Sequence, residues 1–338
     1  MELQEAIICF IIATIVIGVA GTKLAKEADR LADITGLGEA LFGAVFLGGT
    51  TSLPGIITSV TAAYNGHPEL AVSNAIGGIA AQTLFLSIAD ISYRKINLEH
   101  AAASFTNLMQ GVLLLGLLAF ILMGISGPET TIFHVHPTSL LLIVFYILGT
   151  KLISKAKDYP MWLPRMTRQT VEDVPDKENL QPKYPFLIYL KFIILAASVA
   201  VAGYFVARTG IVIANETPLS EGFVGMLFTA IATSLPELVV SIAAVRQKAL
   251  TLAVGNIIGG NSFDILFVAF ADLAFNKGSI LHAISQDQVF SIALTMLMTS
   301  TLILGLLHRE KQGIGKIGWE SLLIIVFYLA GNLWVFFA

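Results

Sequence analysis

Charge is what this sequence has least of. Only 13% of its 338 residues are Asp, Glu, Lys or Arg, about half the share of a soluble domain. The hydrophobic fraction is 56% and the mean hydropathy +0.80. A soluble globular protein is thereby excluded, and a polytopic membrane protein is indicated. There is a single cysteine, Cys9, so no internal disulfide can form. A basic leader is missing: Glu2 and Glu5 precede the first apolar run, and Lys23, Lys26 and Arg30 follow it. Residues 4–23 therefore read as a retained span rather than a cleaved signal. No HExxH, nucleophile elbow or phosphate-binding glycine loop occurs in a usable context, which argues against an enzyme. His134 and His136 stand without further ligands for a metal. No cofactor and no nucleic-acid partner is expected.

Long apolar runs are what the sequence does have. Ten are long enough to cross a bilayer, at about 4–23, 37–64, 68–91, 99–124, 137–154, 185–207, 219–245, 249–273, 285–307 and 315–337. Loops after spans one, three, five, seven and nine hold 17 of the 20 Lys and Arg residues. The positive-inside rule makes those loops cytoplasmic and both termini extracytoplasmic. Residues 155–184, with Pro160, Pro164, Pro175 and Pro182 among mixed charges, read as a cytoplasmic linker. The acidic run Glu172, Asp173, Asp176 and Glu178 lacks calcium-loop spacing.

The chain also repeats itself. Residues 37–91 align without a gap on 219–273 at an offset of 182, and 21 of 55 positions are identical. The matches include Thr51-Ser52-Leu53-Pro54 with Thr233-Ser234-Leu235-Pro236, Asn74 with Asn256, both Gly pairs, and Asp90 with Asp272. Apolar composition alone does not align polar and helix-breaking residues, so this is a duplication. Five crossings separate the copies, so they enter the membrane from opposite sides. The expected fold is all-α, ten transmembrane helices as two inverted five-helix repeats. Its parts are a first half at 1–154, the linker at 155–184 and a second half at 185–338. Inverted repeats are the architecture of secondary transporters.

Pro54 and Pro236 lie inside apolar spans and deprive the carbonyls of Thr50 and Ala232 of their helical partners. A freed carbonyl beside Ser and Thr hydroxyls suits a hard cation. A simple proline kink is the alternative reading. Glu237 follows Pro236 and lies about 14 Å from the Arg246 end, and Asp264 about 22 Å deep on the next helix unless unwinding at Gly259-Gly260 shortens the path. Intramembrane carboxylates are costly and usually face the bundle interior. Asn74, Asn256 and Asn261 can supply amide oxygens or brace broken helices, and the Gly pairs can pack helices closely or unwind. Asp90 and Asp272, near span ends, are expected to make interfacial hydrogen bonds. Glu39 and Glu221 begin helices and are expected to complement the helix dipole.

At the two Thr-Ser-Leu-Pro stretches the chain resembles the cation/calcium exchanger superfamily, which includes the sodium/calcium exchangers. The family pattern is Gly-x-Ser-Leu-Pro-Glu or a close relative, then Gly-Asn-x-x-Gly-Ser-Asn and an Asn or Asp. The second repeat keeps Thr233, Ser234, Pro236, Glu237, Gly255, Asn256, Gly259, Asn261 and Asp264. The resemblance implies that Glu237 is a direct cation ligand and Asp264 a ligand or protonatable partner. Thr233, Ser234 and nearby carbonyls would complete the site. It also implies alternating access, with spans one and six sliding against the core, and calcium, sodium or protons as transported substrates rather than cofactors. The first repeat departs from the pattern. Gly55 stands where Glu237 would match and Gln82 where Asp264 would, while Thr51, Ser52, Ser73 and Asn74 remain. The leading expectation is a calcium antiporter in a prokaryotic plasma membrane. A cation/proton exchanger for a monovalent or non-calcium ion and a non-transporting scaffold or sensor are the alternatives.

Overall fold

The computed structural model describes residues 1–35, 48–93, 96–102, 104–158, 160–168, 170, 185–311, 313 and 317–337. Helices α1 (Leu3–Leu31), α2 (Leu53–Tyr64), α3 (Pro68–Ser92), α4 (Leu98–Ala101), α5 (Phe105–Ser126) and α6 (Pro137–Asp158) make the first half. Helices α7 (Pro185–Glu216), α8 (Glu221–Thr233), α9 (Leu235–Arg246), α10 (Leu250–Asp264), α11 (Leu266–Ala274), α12 (Gln286–His308) and α13 (Trp319–Phe337) make the second. Among the described residues no strand occurs. Among the described residues eight helices are long and apolar enough to span a membrane, counting α10–α11 as one, and the pair α8–α9, bent by 48°, makes a ninth span. The remaining expected span, span two at 37–64, contributes α2; its first part lies outside the described residues, as do Glu39 and the acidic run of the linker.

Burial divides the helices by role. Of the most apolar stretch of α3, 78% is buried, and of α10–α11 72%, against 28% for α1 and 17% for α7. The duplicated hairpins are thus the core. α1 and α7 pack against each other and on its flank, the arrangement expected of spans one and six. Their glycines set the approach. A Cβ on Gly21 would lie 2.5 Å from Pro236 Cγ, and one on Gly203 2.8 Å from the Pro54 carbonyl. These glycines are themselves related by the 182-residue offset, so each flanking helix rests on the proline of the opposite repeat.

Three expected boundaries move. Span four begins at Phe105, because Asn97 and Ser104 each cap a helix start and divide 98–126 into α4 and α5. Span six runs on to Glu216; Arg208 does not end it but turns aside to Asn65 Oδ1 at 3.0 Å. Span ten begins at Trp319. Lys191 pairs with the buried carboxylate of Glu27, which also meets Arg30. Glu221 sits in the first turn of α8, as expected, and its carboxylate accepts the ring N–H of His67 Nδ1 at 2.7 Å.

The two ends of the molecule are built alike. Asp90 accepts from the backbone N–H of Leu98 at 2.8 Å and of Gly318 at 3.2 Å. Asp272 accepts from Ile280 at 2.8 Å and His136 at 2.7 Å, with Ser139 Oγ adding a bond at 2.6 Å. His100 Nδ1 lies 2.5 Å from the Arg309 carbonyl, and His282 Nε2 lies 3.0 Å from that of Gly127. Every partner in one set is 182 residues from its counterpart in the other. Each aspartate staples its own repeat to a hairpin of the other half, as interfacial hydrogen bonding requires.

Candidate functional site

Proline breaks the second helix of each repeat at the same place. Ser52 (φ −84°, ψ 3°) and Ser234 (φ −97°, ψ 5°) leave helical geometry, and a new helix starts with proline in its first turn. Proline there lacks only an N–H that would have no helical partner in a first turn. Two serine hydroxyls are thereby turned toward the molecular centre, where both are buried.

The centre is formed by the two residues that the duplication pairs. Gln82 Nε2 donates to Asp264 Oδ2 at 2.5 Å, and Ser52 Oγ donates to Asp264 Oδ1 at 2.5 Å. Reciprocally, Gln82 Nε2 reaches Ser234 Oγ at 3.4 Å. The serine of each repeat thus meets the Gln or Asp of the other. Glu237 lies within electrostatic range of Asp264. Asn261 Nδ2 donates to Thr83 Oγ1 at 3.2 Å. Glu237 Oε2, Gln82 Oε1 and Asn261 Oδ1 are sealed from solvent and accept no hydrogen bond. All three can only accept, so a positive charge or a proton would satisfy them and a further carbonyl would not. None of the three ion pairs among the described residues involves either carboxylate.

Other expected ligands are placed differently. Asn74 is a brace: its Nδ2 donates to Ser59 Oγ at 2.9 Å and the Gly55 carbonyl at 3.3 Å, and its Oδ1 accepts from Thr229 at 2.8 Å and Thr233 at 3.5 Å. Thr233 also bonds back to the carbonyl of Thr229 at 2.9 Å, and Thr51 to that of Gly48 at 3.1 Å. Asn256 is half-buried, and the bonds that tie the centre do not reach it. The glycine pairs do not unwind. α10 is helical through Gly259 and Gly260, and the helix is interrupted at Ile265, just past Asp264. The pairs allow close approach instead: a Cβ on Gly77 would lie 2.5 Å from the Met226 backbone. Packing offers the helix more than unwinding here, because unwound amides in a buried core would need new partners.

The first repeat's missing carboxylate is replaced by an aromatic ring. A Cβ on Gly55 would lie 2.5 Å from Phe267 Cε2 and 3.1 Å from Cζ. Phe267 is buried and meets Phe263 edge-on at 6.4 Å, which in turn meets Tyr146 at 5.9 Å. The site is therefore one-sided, with Glu237 on the second-repeat side and an aromatic wall opposite. Among the described residues no group of three or more His, Cys, Asp or Glu gathers as a resident metal centre.

Ser59, Thr229, Thr83 and Phe267 were not singled out by the sequence. Ser59 and Phe267 had a signal, since each is identical to its partner at the offset, Ser241 and Phe85. Thr229 stands one turn before Thr233 on the same helix face. Thr83 had none.

Comparison with known proteins agrees with this fold. The family model for the sodium/calcium exchanger protein matches residues 5–153 and 187–337. A putative antiporter, CaxA of Alkalimonas amylolytica, is 28% identical over 316 residues, covering 89% of this chain and 93% of the relative. Among solved structures, the H+/Ca2+ exchanger CAX superposes with a TM-score of 0.69 at 13% identity, over 98% of this chain and 86% of the other. The sodium-calcium exchanger NCX_Mj superposes with a TM-score of 0.62 at 20% identity, over 98% and 99%. At these identities the two structures speak for the fold.

Proposed function

Since this chain belongs to the sodium/calcium exchanger protein family, a family of transporters and not of enzymes, we propose that it is a secondary-active antiporter that exchanges calcium for sodium or protons by alternating access. The carrying observation is the pair Glu237 and Asp264. The two carboxylates lie within electrostatic range of each other beside the breaks of the core helices, no ion pair among the described residues reaches either, and Glu237 Oε2 has no donor. Leaving such charge unmatched costs several kcal/mol per ion, so the site is complete only with a bound cation or with protons. Competition between the two is the basis of exchange: a cation enters as protons or sodium leave. α1 and α7, lying on Pro236 and Pro54 through Gly21 and Gly203, would slide past the core to open one side and then the other. The membrane is that of a prokaryotic cell, with the linker facing the cytoplasm and both termini outside.

A second reading has its own support. Phe267 fills the place of a first-repeat carboxylate, so two charges at most face the cargo. A monovalent cation, or a smaller counter-ion stoichiometry, matches that charge. The purified protein in liposomes decides between the readings. Calcium uptake driven by an outward sodium or proton gradient, and abolished in Glu237→Gln, is the expected result. Uptake of a monovalent cation alone, lost in the same variant, would select the second reading. No uptake of any cation by folded protein would refute both.

A further inference from the structure

The twin staples at the two ends are an internal comparison. Both need one aspartate, one histidine and the backbone groups they hold, and the far end works with those alone. The linker-side end carries two carboxylates more. Glu99 stands where the far end has Leu281, and Glu320 where it has Thr138. Glu99 and Glu320 are 0% exposed and Asp90 1%. Glu320 Oε1 accepts from Asn97 Nδ2 at 2.6 Å, but Glu320 Oε2 and both oxygens of Glu99 have no hydrogen-bond partner. No ion pair among the described residues reaches any of the three. The staple does not require these groups, and as carboxylates they repel one another. No described residue supplies the missing donors.

We propose that Glu99 and Glu320, with Asp90 beside them, form a proton-binding site at the linker-side end, separate from the Glu237–Asp264 centre, in which a proton on Glu99 donated to Glu320 clamps the halves together. A proton fits where a metal does not, since no metal-holding group of three or more His, Cys, Asp or Glu forms among the described residues. Once one carboxyl is protonated it can donate to the other, because the two lie within hydrogen-bonding reach. Burial first, then the charges of Asp90 and Glu320, hold the Glu99 carboxyl well above the ordinary glutamate value of 4.5. The described groups around it give no counter-charge. α4 packs against α10 and α12; α12 ends in His308, which is exposed. Asp90 comes from α3 and Glu320 from α13. His100 turns its ring to the Arg309 carbonyl and, at 3.0 Å, to Thr167 of the linker. The Arg309 guanidinium is held by the carbonyls of Arg165 and His100 and by Thr170 Oγ1.

These last contacts give the proton a consequence. The linker meets Arg309 and His100, while Gly318 before α13 and Asn97 before α4 hold the acidic cluster. With the proton present, Asn97–Glu320, Asp90–Gly318 and His100–Arg309 hold together. Without it, two or three negative charges face each other in a sealed space, and the clamp opens. A folded-state proton affinity above that of the unfolded chain means that stability is full below about pH 4.5 and falls as pH rises toward the folded value. One proton of linkage changes the equilibrium tenfold per pH unit.

The test uses the full chain in lipid nanodiscs, with Glu99→Gln and the double variant Glu99→Leu/Glu320→Thr, which copies the far end and so should fold. Infrared difference spectroscopy should show a protonated-carboxyl stretch at neutral pH in the native protein that Glu99→Gln lacks. Thermal stability should fall with rising pH in the native protein and flatten in both variants. A native pH profile retained in both variants, with the carboxyl band unchanged, would overturn the proposal. Neither readout needs transport, so the result stands apart from the identity of the cargo ion. In liposomes the double variant should still transport.

Discussion

Restoring the missing carboxylate tests why this site has only two. In Gly55→Glu, the new Cβ would sit 2.5 Å from the Phe267 ring, where carbon atoms in contact prefer about 3.5–4.0 Å. The ring is buried and cannot swing into solvent, so the substitution alone should cost about 1–3 kcal/mol, the usual range for overpacking. Phe267→Ala alone should cost about 3–5 kcal/mol through the void it leaves. The two changes are complementary, because the Glu side chain enters the volume the ring vacates. The double variant should be more stable than the two single costs predict, with a coupling of about 0.5–3 kcal/mol. A carboxylate within about 5 Å of a divalent ion gains roughly 7 kcal/mol of gross attraction at an effective dielectric of about 20. Desolvation removes most of that, and a net gain of about 1.4 kcal/mol would already tighten binding tenfold. Thermal unfolding of the four proteins with and without calcium measures both effects. Calcium should stabilise the double variant more than the native protein. If Gly55→Glu proves as stable as native, or if the costs simply add, Phe267 does not occupy the carboxylate's place and the reasoning fails.

Other perturbations probe the frame around the site. Asp272→Asn would set an amide against the N–H of Ile280 or His136 and should lower stability by about 1–3 kcal/mol. Asp90→Asn should cost less, because it also removes a like charge from Glu99 and Glu320; thermal unfolding of the pair would contradict the twin-staple account if Asp90→Asn cost more. Gly203→Ala would press a methyl to 2.8 Å from the Pro54 carbonyl, a backbone atom that cannot turn away, whereas Gly18→Ala would meet Leu235 at an ordinary 3.5 Å. Slow transport in Gly203→Ala with normal rates in Gly18→Ala is expected, and equal rates in both would argue against α7 sliding on the proline break.

Much of this structure is legible in the sequence because the duplication repeats polar and helix-breaking residues, which an apolar solvent tolerates only for cause. Thr-Ser-Leu-Pro marks the break, and Asp90 with Asp272 marks the staples. The offset even foretells that Gln82 and Asp264 are equivalent, though not that equivalent residues meet. That meeting follows from placing two inverted copies about one axis, where each copy's serine faces the other's carboxyl position. What stayed hidden depends on packing. Asn74 reads equally well as ligand or brace until Ser59, Thr229 and the Gly55 carbonyl are seen to use its amide. Gly55 reads as empty space until the Phe267 ring is found there. Glu99 reads as the edge of a span until α4 separates from α5 and buries it.

Pseudo-symmetry turns these surprises into an argument about function. Two copies of one ancestral hairpin began with the same residues, and the shared set that persists carries the breaks and the staples. Departures are therefore informative where the structure gives both copies the same surroundings. At the centre the departures are Gly55 for Glu237 and Gln82 for Asp264, and they remove charge from one half of a cation site. At the ends they are Glu99 for Leu281 and Glu320 for Thr138, and they add charge to one face. Folding alone does not call for either, since each has a working twin without it. The first sets which cation the two remaining carboxylates can neutralise. The second makes one face, the one that touches the linker, responsive to protons while the other is not. An antiporter built this way is symmetric in its movement and asymmetric in its charge, so the two sides of the membrane need not see the same affinity or the same pH dependence.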